Sequence, residues 1–180
     1  TKVECILLDQ DFNNIIRKRI ATEADKGYDH ILSQIKKLID EVSKEIGASP
    51  SMIGFATPGA LEPETRVMKN CNTVCMNGKP MKADLEQVLN VPVKLENDAN
   101  CFALAETLMG AGRNYPDAEV MFGVIMGTGV GGGLIVNKRI VEGRHGLGGE
   151  WGHNILEENG DPCYCGKRGC VEKVISGPGL

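Results

Sequence analysis

The sequence lacks an excess of positive charge. Its 20 Lys and Arg are outnumbered by 24 Asp and Glu, for a net charge of −4, and the two signs are interspersed. Such a surface is not built to neutralise a phosphate backbone, so composition disfavours nucleic acid as a partner. No apolar run reaches the roughly 18 residues that a membrane-spanning helix needs, so no membrane partner is expected. The opening Thr1-Lys2-Val3-Glu4 has none of the character of a signal peptide, and a cytoplasmic location is expected. With no export signal and an odd count of seven cysteines, a disulfide framework is not expected either. Internal repeats and low-complexity tracts are also absent. What is there is 42% hydrophobic and 24% charged over 180 residues, enough for one good domain or two small lobes.

The order of elements is legible from periodicity and punctuation. Residues 3–9 read as a strand, Asn13-Asn14 as a turn and 15–20 as the partner of a hairpin. Ile31, Ile35, Leu38, Val42 and Ile46 recur at helical spacing, which predicts an amphipathic helix over 29–46 that stops near Gly47. A short buried strand, Met52 to Ala56, runs into a Thr57-Pro58-Gly59 turn, and 60–80 reads as loop-rich. Next come a helix over 82–90, a strand over 91–95 and a helix over about 99–110 capped by Asp98. A strand over 119–126 meets a glycine run, 127–133, read as a loop; 134–141 reads as a second hairpin. The remainder is glycine-rich loop around a Cys/His cluster, with a helix opening near 172. Alternating strands and helices give an α/β class. The change of character at Gly112 to Asp117 predicts a lobe boundary, with 1–116 before it and 117–180 after it.

Four constellations carry chemistry. His153, Cys163, Cys165 and Cys170 offer one imidazole and three thiolates, a donor set suited to tetrahedral zinc. Four protein ligands leave no open position, so the expected role is structural. Gly166 and Gly169 let the chain turn tightly there. The other four cysteines, Cys5, Cys71, Cys75 and Cys101, read as small buried residues. Gly127-Thr128-Gly129-Val130-Gly131-Gly132-Gly133 comes after a strand and would expose backbone N–H groups to a phosphate, with the Thr128 hydroxyl beside them. It has no P-loop lysine and runs into a strand, so it is neither a P-loop nor a dinucleotide fingerprint; a plain hairpin turn is the bland alternative. Glu96-Asn97-Asp98-Ala99-Asn100 stands at a strand end, where α/β proteins place ligand chemistry, and its carboxylates suit proton acceptance. Glu150, in Gly149-Glu150-Trp151-Gly152-His153, and Glu172 flank the cluster, and fixed carboxylates accept hydrogen bonds from sugar hydroxyls well. Surface acids beside a metal loop are the alternative there. Trp151, the only tryptophan, reads as core.

Taken together, in this order, these motifs resemble the ROK family (repressor, open reading frame, kinase) from Thr1 to Leu180. The Cys163-Tyr164-Cys165-Gly166-Lys167-Arg168-Gly169-Cys170-Val171-Glu172 run is part of that match. The resemblance implies a two-lobed, actin-like, ribonuclease-H-like kinase fold. It implies ATP-dependent, Mg²⁺-assisted phosphorylation of a hexose, usually at the 6-hydroxyl. By residue, it implies that Asp98 is the general base and that Asn97 binds a sugar hydroxyl. Glu150, His153 and Glu172 would contact the sugar near its anomeric end, with His153 also on zinc. Gly59 would offer a backbone contact to the sugar, and Asn72 a further contact. Gly127, Thr128 and Gly129 would form the second phosphate loop. Family kinases open with an Asp-x-Gly-Gly-Thr-Lys loop and continue past the zinc motif; this chain resembles a segment that starts inside the first and stops after the second. The rivals are a sugar-responsive repressor of the same family, the one case that brings in nucleic acid, and a non-catalytic sugar-binding module. Fructose, mannose, glucose and N-acetylglucosamine all stay open as substrates, and a homodimer is the assembly the family implies.

Overall fold

The structure is a computed structural model that describes residues 2–180. Of the expected phosphate-loop remnant, Thr1 lies outside the described residues, and Lys2 already belongs to the first strand. Packing divides the chain into two compact units: Thr1–Leu61 with Thr65–Leu95, and Glu62–Glu64 with Glu96–Leu180.

The first unit opens with the expected hairpin. Strand β1 (Lys2–Leu8) pairs antiparallel with β2 (Asn14–Ala21), from Lys2 opposite Ala21 to Leu7 opposite Ile16. Asp9 builds the turn, its Oδ1 accepting from the N–H groups of Asp11 (2.9 Å) and Asn13 (2.8 Å). Helix α1 (Tyr28–Ile46) buries Ile31, Leu32, Ile35, Leu38 and Val42 as one stripe and ends at Gly47, whose φ of 67° suits a residue without Cβ. Then come β3 (Ile53–Thr57), β4 (Ala60–Leu61), β5 (Met68–Lys69), α2 (Met81–Leu89) and β6 (Val93–Asn97). Strand β3 is hydrogen-bonded to β6, and β4 to β5. Within the segment expected to be loop-rich, β4 and β5 thus make a minimal ladder. The core of this unit joins Tyr28, Ile31, Leu32 and Ile35 of α1 to Met68, Cys71, Met76, Met81, Leu85 and Val93.

In the second unit, helix α3 (Asp98–Leu108) packs on a three-stranded antiparallel sheet of β7 (Val120–Met126), β8 (Val130–Val136) and β9 (Arg139–Ile140). Helix α4 (Val171–Ile175) closes the unit. The β8–β9 turn is the expected second hairpin; Asn137 and Lys138 carry φ of 48° and 61°, the paired left-handed residues of a tight turn.

Two expectations are corrected. The glycine run is not a loop throughout: only 127–129 connect β7 to β8, and Gly131, Gly132 and Gly133 lie in β8 opposite Ile125, Val124 and Gly123. The reason is close approach. A Cβ on Gly133 would lie 2.7 Å from the Ala103 Cβ and 2.8 Å from the Ala99 carbonyl oxygen; on Gly132 it would lie 2.8 Å from the Trp151 ring and 2.9 Å from Phe122. Second, the cap of α3 is Asn97, not Asp98. The Asn97 Oδ1 accepts from the N–H groups of Ala99 (2.9 Å) and Asn100 (3.1 Å), and Asp98 is the first helical residue. Helix α3 packs on β7 and β8 and so falls in the same compact unit as the sheet.

Gly133→Val should destabilise the fold by about 1–3 kcal/mol, the usual cost of overpacking. Gly131→Ala, whose Cβ meets the Ala99 Cβ at an ordinary 3.6 Å, should be close to neutral. Denaturant melts of the two variants check this; equal losses would remove close approach as the reason for the glycines.

Candidate functional site

Two of the expected site residues lie in the first unit. Gly59 has φ of 75°, and a Cβ there would lie 2.7 Å from the Cys71 Sγ and 2.9 Å from the Cys71 N. Asn77 holds the facing peptide from both sides: the Cys71 N–H donates to its Oδ1 (2.8 Å), and its Nδ2 donates to the Cys71 carbonyl (3.0 Å). The Cys71 thiol donates to the Pro58 carbonyl at 3.1 Å. The Thr57-Pro58-Gly59 turn and the loop that ends in exposed Asn72 are therefore laced together. Sequence alone does not point to Asn77, whose spacing from Asn72 carries no signal.

The remaining residues gather in the second unit. Its first group is the N-terminus of α3. The Glu96 Oε1 accepts from the Asn97 N–H (2.7 Å) and from the Asn100 Nδ2 (3.0 Å). Asn100 is 3% exposed, and among the described residues its Oδ1 is the buried side-chain oxygen that finds no partner. The Asp98 carboxylate accepts from the Ala99 N–H at 2.8 Å. Asp98 reaches solvent, yet the protein around its carboxyl desolvates it enough to raise its pKa above the usual value, against the lowering pull of the backbone N–H bonds. A carboxylate tuned upward is a better proton acceptor.

The second group is the β7–β8 turn, Gly127-Thr128-Gly129. It is tied at both ends to the segment around α4. The Gly177 N–H donates to the Gly127 carbonyl (2.7 Å), and the Val130 N–H donates to the Glu172 Oε2 (3.0 Å). A Cβ on Gly129 would lie 2.5 Å from that same Glu172 oxygen, so glycine is what lets the carboxylate close over the turn. Thr128 is exposed at its tip.

The third group is the Cys/His cluster. One ligand atom from each of His153, Cys163, Cys165 and Cys170 lies within 4.8 Å of the others. The Cys163 Sγ is 3.6 Å from the His153 Nδ1, and the Cys165 Sγ is 3.6 Å from the Cys170 Sγ. The loop turns as expected at Gly166 and Gly169, with φ of 90° and 64°. Three thiols and one imidazole nitrogen converging on one point fit a tetrahedral soft cation. His153 stands in a single 3₁₀ turn, Trp151–His153. Trp151 fastens that turn to the sheet: its Nε1 donates to the Gly131 carbonyl (3.0 Å), and its ring meets Phe122 edge-on at 5.9 Å. It is half-buried against the sheet rather than a member of the buried core.

Electrostatics ties the groups together. Desolvation raises the Glu150 carboxyl above its usual pKa, the nearby His153 lowers it, and the charges of Asp98 and Glu172 raise it further. Glu150 thus lies within electrostatic reach of Asp98, His153 and Glu172. Tyr164, which none of the sequence motifs marks as a ligand, joins them. Its hydroxyl is 3.1 Å from the His153 Nε2, and the two rings stand perpendicular at 5.1 Å. The available signal was an aromatic between the two cysteines of the C-x-C pair.

The model of the ROK family matches residues 1–180. The chain is 36% identical over 190 residues to an N-acetyl-D-glucosamine kinase of Pectobacterium atrosepticum, covering all of this chain and 61% of that protein. It therefore spans about three fifths of that relative's length. Among solved structures, a ROK hexokinase from Thermus thermophilus superimposes with a TM-score of 0.84 at 31% identity, over 99% of this chain and 58% of that one. A ROK family glucokinase from Streptomyces griseus, in complex with glucose and AMPPNP, gives 0.80 at 27%, over 99% and 55%. A ROK family transcriptional regulator shares the fold, at 0.83 and 23% identity over 99% of this chain and 45% of its own. The expected actin-like α/β fold is borne out by these likenesses. No helix among the described residues is long and apolar enough to cross a membrane.

Asp98→Asn removes a carboxylate that the fold keeps partly desolvated. Because its folded pKa is raised, its ionisation opposes folding: the penalty is absent below the unfolded value of about 3.9 and complete above the folded value. The variant's melting temperature should therefore not fall below wild type at pH 7. The gap between the two should narrow as pH drops below 4, and thermal melts across that range decide it.

Proposed function

The chain belongs to the ROK family, and on that premise we propose that the protein carrying it is an ATP-dependent hexose kinase acting at the sugar 6-hydroxyl. The observation that supports this is the gathering of Asp98, Glu150, His153 and Glu172 in one unit, with Glu172 bonded to the residue after Gly127-Thr128-Gly129.

Asp98 is the proposed general base. Its raised carboxyl accepts the proton of the attacking hydroxyl, whose oxygen then bonds to the γ-phosphorus as the bond to the β-phosphate oxygen breaks. Asn97 caps α3, which fixes the orientation of its amide for a neighbouring sugar hydroxyl. Glu150, His153 and Glu172 hold the other end of the ring; the Glu172 Oε2 serves the Val130 N–H, which leaves Oε1 for a hydroxyl. Gly59 and Asn72 are proposed sugar contacts of the first unit. The 127–129 turn would offer the Thr128 hydroxyl and backbone N–H groups to phosphate, whose charge Mg²⁺ would offset when bound.

His153, Cys163, Cys165 and Cys170 fit zinc. Bound there it would be saturated by four protein ligands and would supply order rather than Lewis acidity. The order reaches the sugar side through the chain, since Glu150 lies three residues before His153 and Glu172 two after Cys170. The protein is proposed to act in the cytoplasm as a homodimer. Retention of Asp98 favours the kinase over the repressor and over a module that only binds sugar.

In the full-length gene product, Asp98→Asn should lower kcat for hexose phosphorylation by on the order of 10²–10⁴-fold. Turnover within a few-fold of wild type would remove Asp98 as the base. Stripping the metal with a chelator should weaken sugar binding, measured by calorimetry, as well as stability. Full-strength binding by a folded, metal-free protein would reduce the cluster to a staple.

A further inference from the structure

The cysteines are not equivalent. Cys71, Cys163 and Cys170 are buried and Cys5, Cys75 and Cys101 half-buried, so among the described residues Cys165 is the one exposed cysteine. That exposed sulfur has a partner. Its Sγ is 3.6 Å from the Sγ of Cys170, a residue 0% exposed. The remaining thiol of the cluster, Cys163, is 7% exposed and faces the His153 Nδ1 at 3.6 Å. An exposed thiol beside a buried one is the pairing that reversible oxidation needs. The first meets the oxidant, and the second resolves the product before more oxygen adds.

Spacing favours the same pair. The chain between Cys165 and Cys170 turns at Gly166 and Gly169, which brings the two sulfurs together. Cys163 and Cys165 have one residue between them, and a bond there would close a small, strained ring.

We propose that Cys165 is a site of reversible oxidation by peroxide, and that it closes on Cys170 in a disulfide that opens the metal site. The Cys165 sulfur attacks the O–O bond, takes one oxygen as a sulfenic acid and releases the other as water. The Cys170 sulfur then attacks the Cys165 sulfur, forms the S–S bond and expels the second oxygen as water. The two thiols lose two electrons and two protons, and the peroxide is reduced to two waters. A dithiol reductant reverses the bond by exchange. The disulfide removes two of four ligands and leaves His153 and Cys163, too few for a closed tetrahedral site. It also draws the Cys170 sulfur from the His153 carbonyl, to which it donates at 3.7 Å. Cys170 immediately precedes α4, which carries Glu172, so the oxidation reaches both His153 and Glu172. The inference rests on the zinc reading of the cluster and, for its effect on sugar, on the hexose kinase reading.

The test treats the full-length gene product, with its bound metal, with stoichiometric hydrogen peroxide, with and without dimedone to trap sulfenic acid. Peptide mass spectrometry should place the dimedone adduct on Cys165 and, without dimedone, a disulfide between Cys165 and Cys170. A chromogenic chelator should register about one zinc ion released per disulfide, and calorimetry a hexose Kd raised about 10-fold or more. Dithiothreitol with added zinc should restore both. A first adduct or disulfide at other cysteines, or the expected disulfide without metal release, overturns the inference. Protein purified without metal overturns the zinc reading and the release that rests on it, while the mapped cysteines still decide the oxidation. A wild type that binds no hexose overturns the kinase reading and leaves the disulfide and the metal release to decide.

Discussion

Strand β8 and the turn before it are the surface against which the rest of the second unit is set, and this works because Gly129, Gly132 and Gly133 present no side chain there. Ala99 and Ala103 of α3 close on Gly133, Trp151 closes on Gly132, and the Glu172 carboxylate closes on Gly129. Gly149 and Gly152 approach it in turn, their would-be Cβ positions falling on the Gly132 and Val130 carbonyls. Each of these approaches carries a group of proposed function. Helix α3 begins at Asp98, Trp151 lies between Glu150 and His153, and Glu172 comes shortly after Cys170. A strand with ordinary side chains would hold these segments apart by the width of a methyl group or more. Interiors packed at crystal density do not absorb such an insertion without moving a neighbour.

Close approach changes what the glycines mean. A run of them after a strand suggests backbone amides waiting for phosphate, and residues 127–129 keep that role as a proposal. Gly132 and Gly133 are there for packing. The same holds for the Cys/His cluster. Its four ligand atoms converge on one point, but its consequence is where it puts the chain on either side: the 3₁₀ turn docked by Trp151, and α4 with Glu172 reaching back to the Val130 N–H. Glu172 therefore stands between the sugar side and the phosphate side of the proposed reaction.

Most of the fold was legible because the signals were local. The α1 stripe, the Gly47 stop and the β1–β2 hairpin come from periodicity and turn residues alone. The features that were not legible depended on tertiary contact. Asn97 and Asp98 are adjacent and equally good caps, and only the chain's exit from β6 decides that Asn97 takes the role. The polar stretch from Gly112 to Asp117 looks like a boundary, yet it joins α3 to the sheet on which α3 packs. Among candidate site residues, those with chemical identity (His153, the three cysteines, Asp98, Glu150, Glu172) stand out in the sequence, and the structure places them in one unit. Tyr164 and Asn77 do not stand out, since each is tied to a partner that no local pattern reveals: His153 for Tyr164 and the Cys71 peptide for Asn77.

The central claim is that the segments docked on β8 make one sugar site with Asp98 at its reacting end. A crystal structure of the full-length gene product with a bound hexose tests it most directly. The account requires the Asp98 carboxylate within hydrogen-bond distance of the 6-hydroxyl, and Glu150, His153 and Glu172 on hydroxyls at the opposite end of the same ring. A sugar bound without Glu150 and Glu172, or with Asp98 turned away from any hydroxyl, would contradict it.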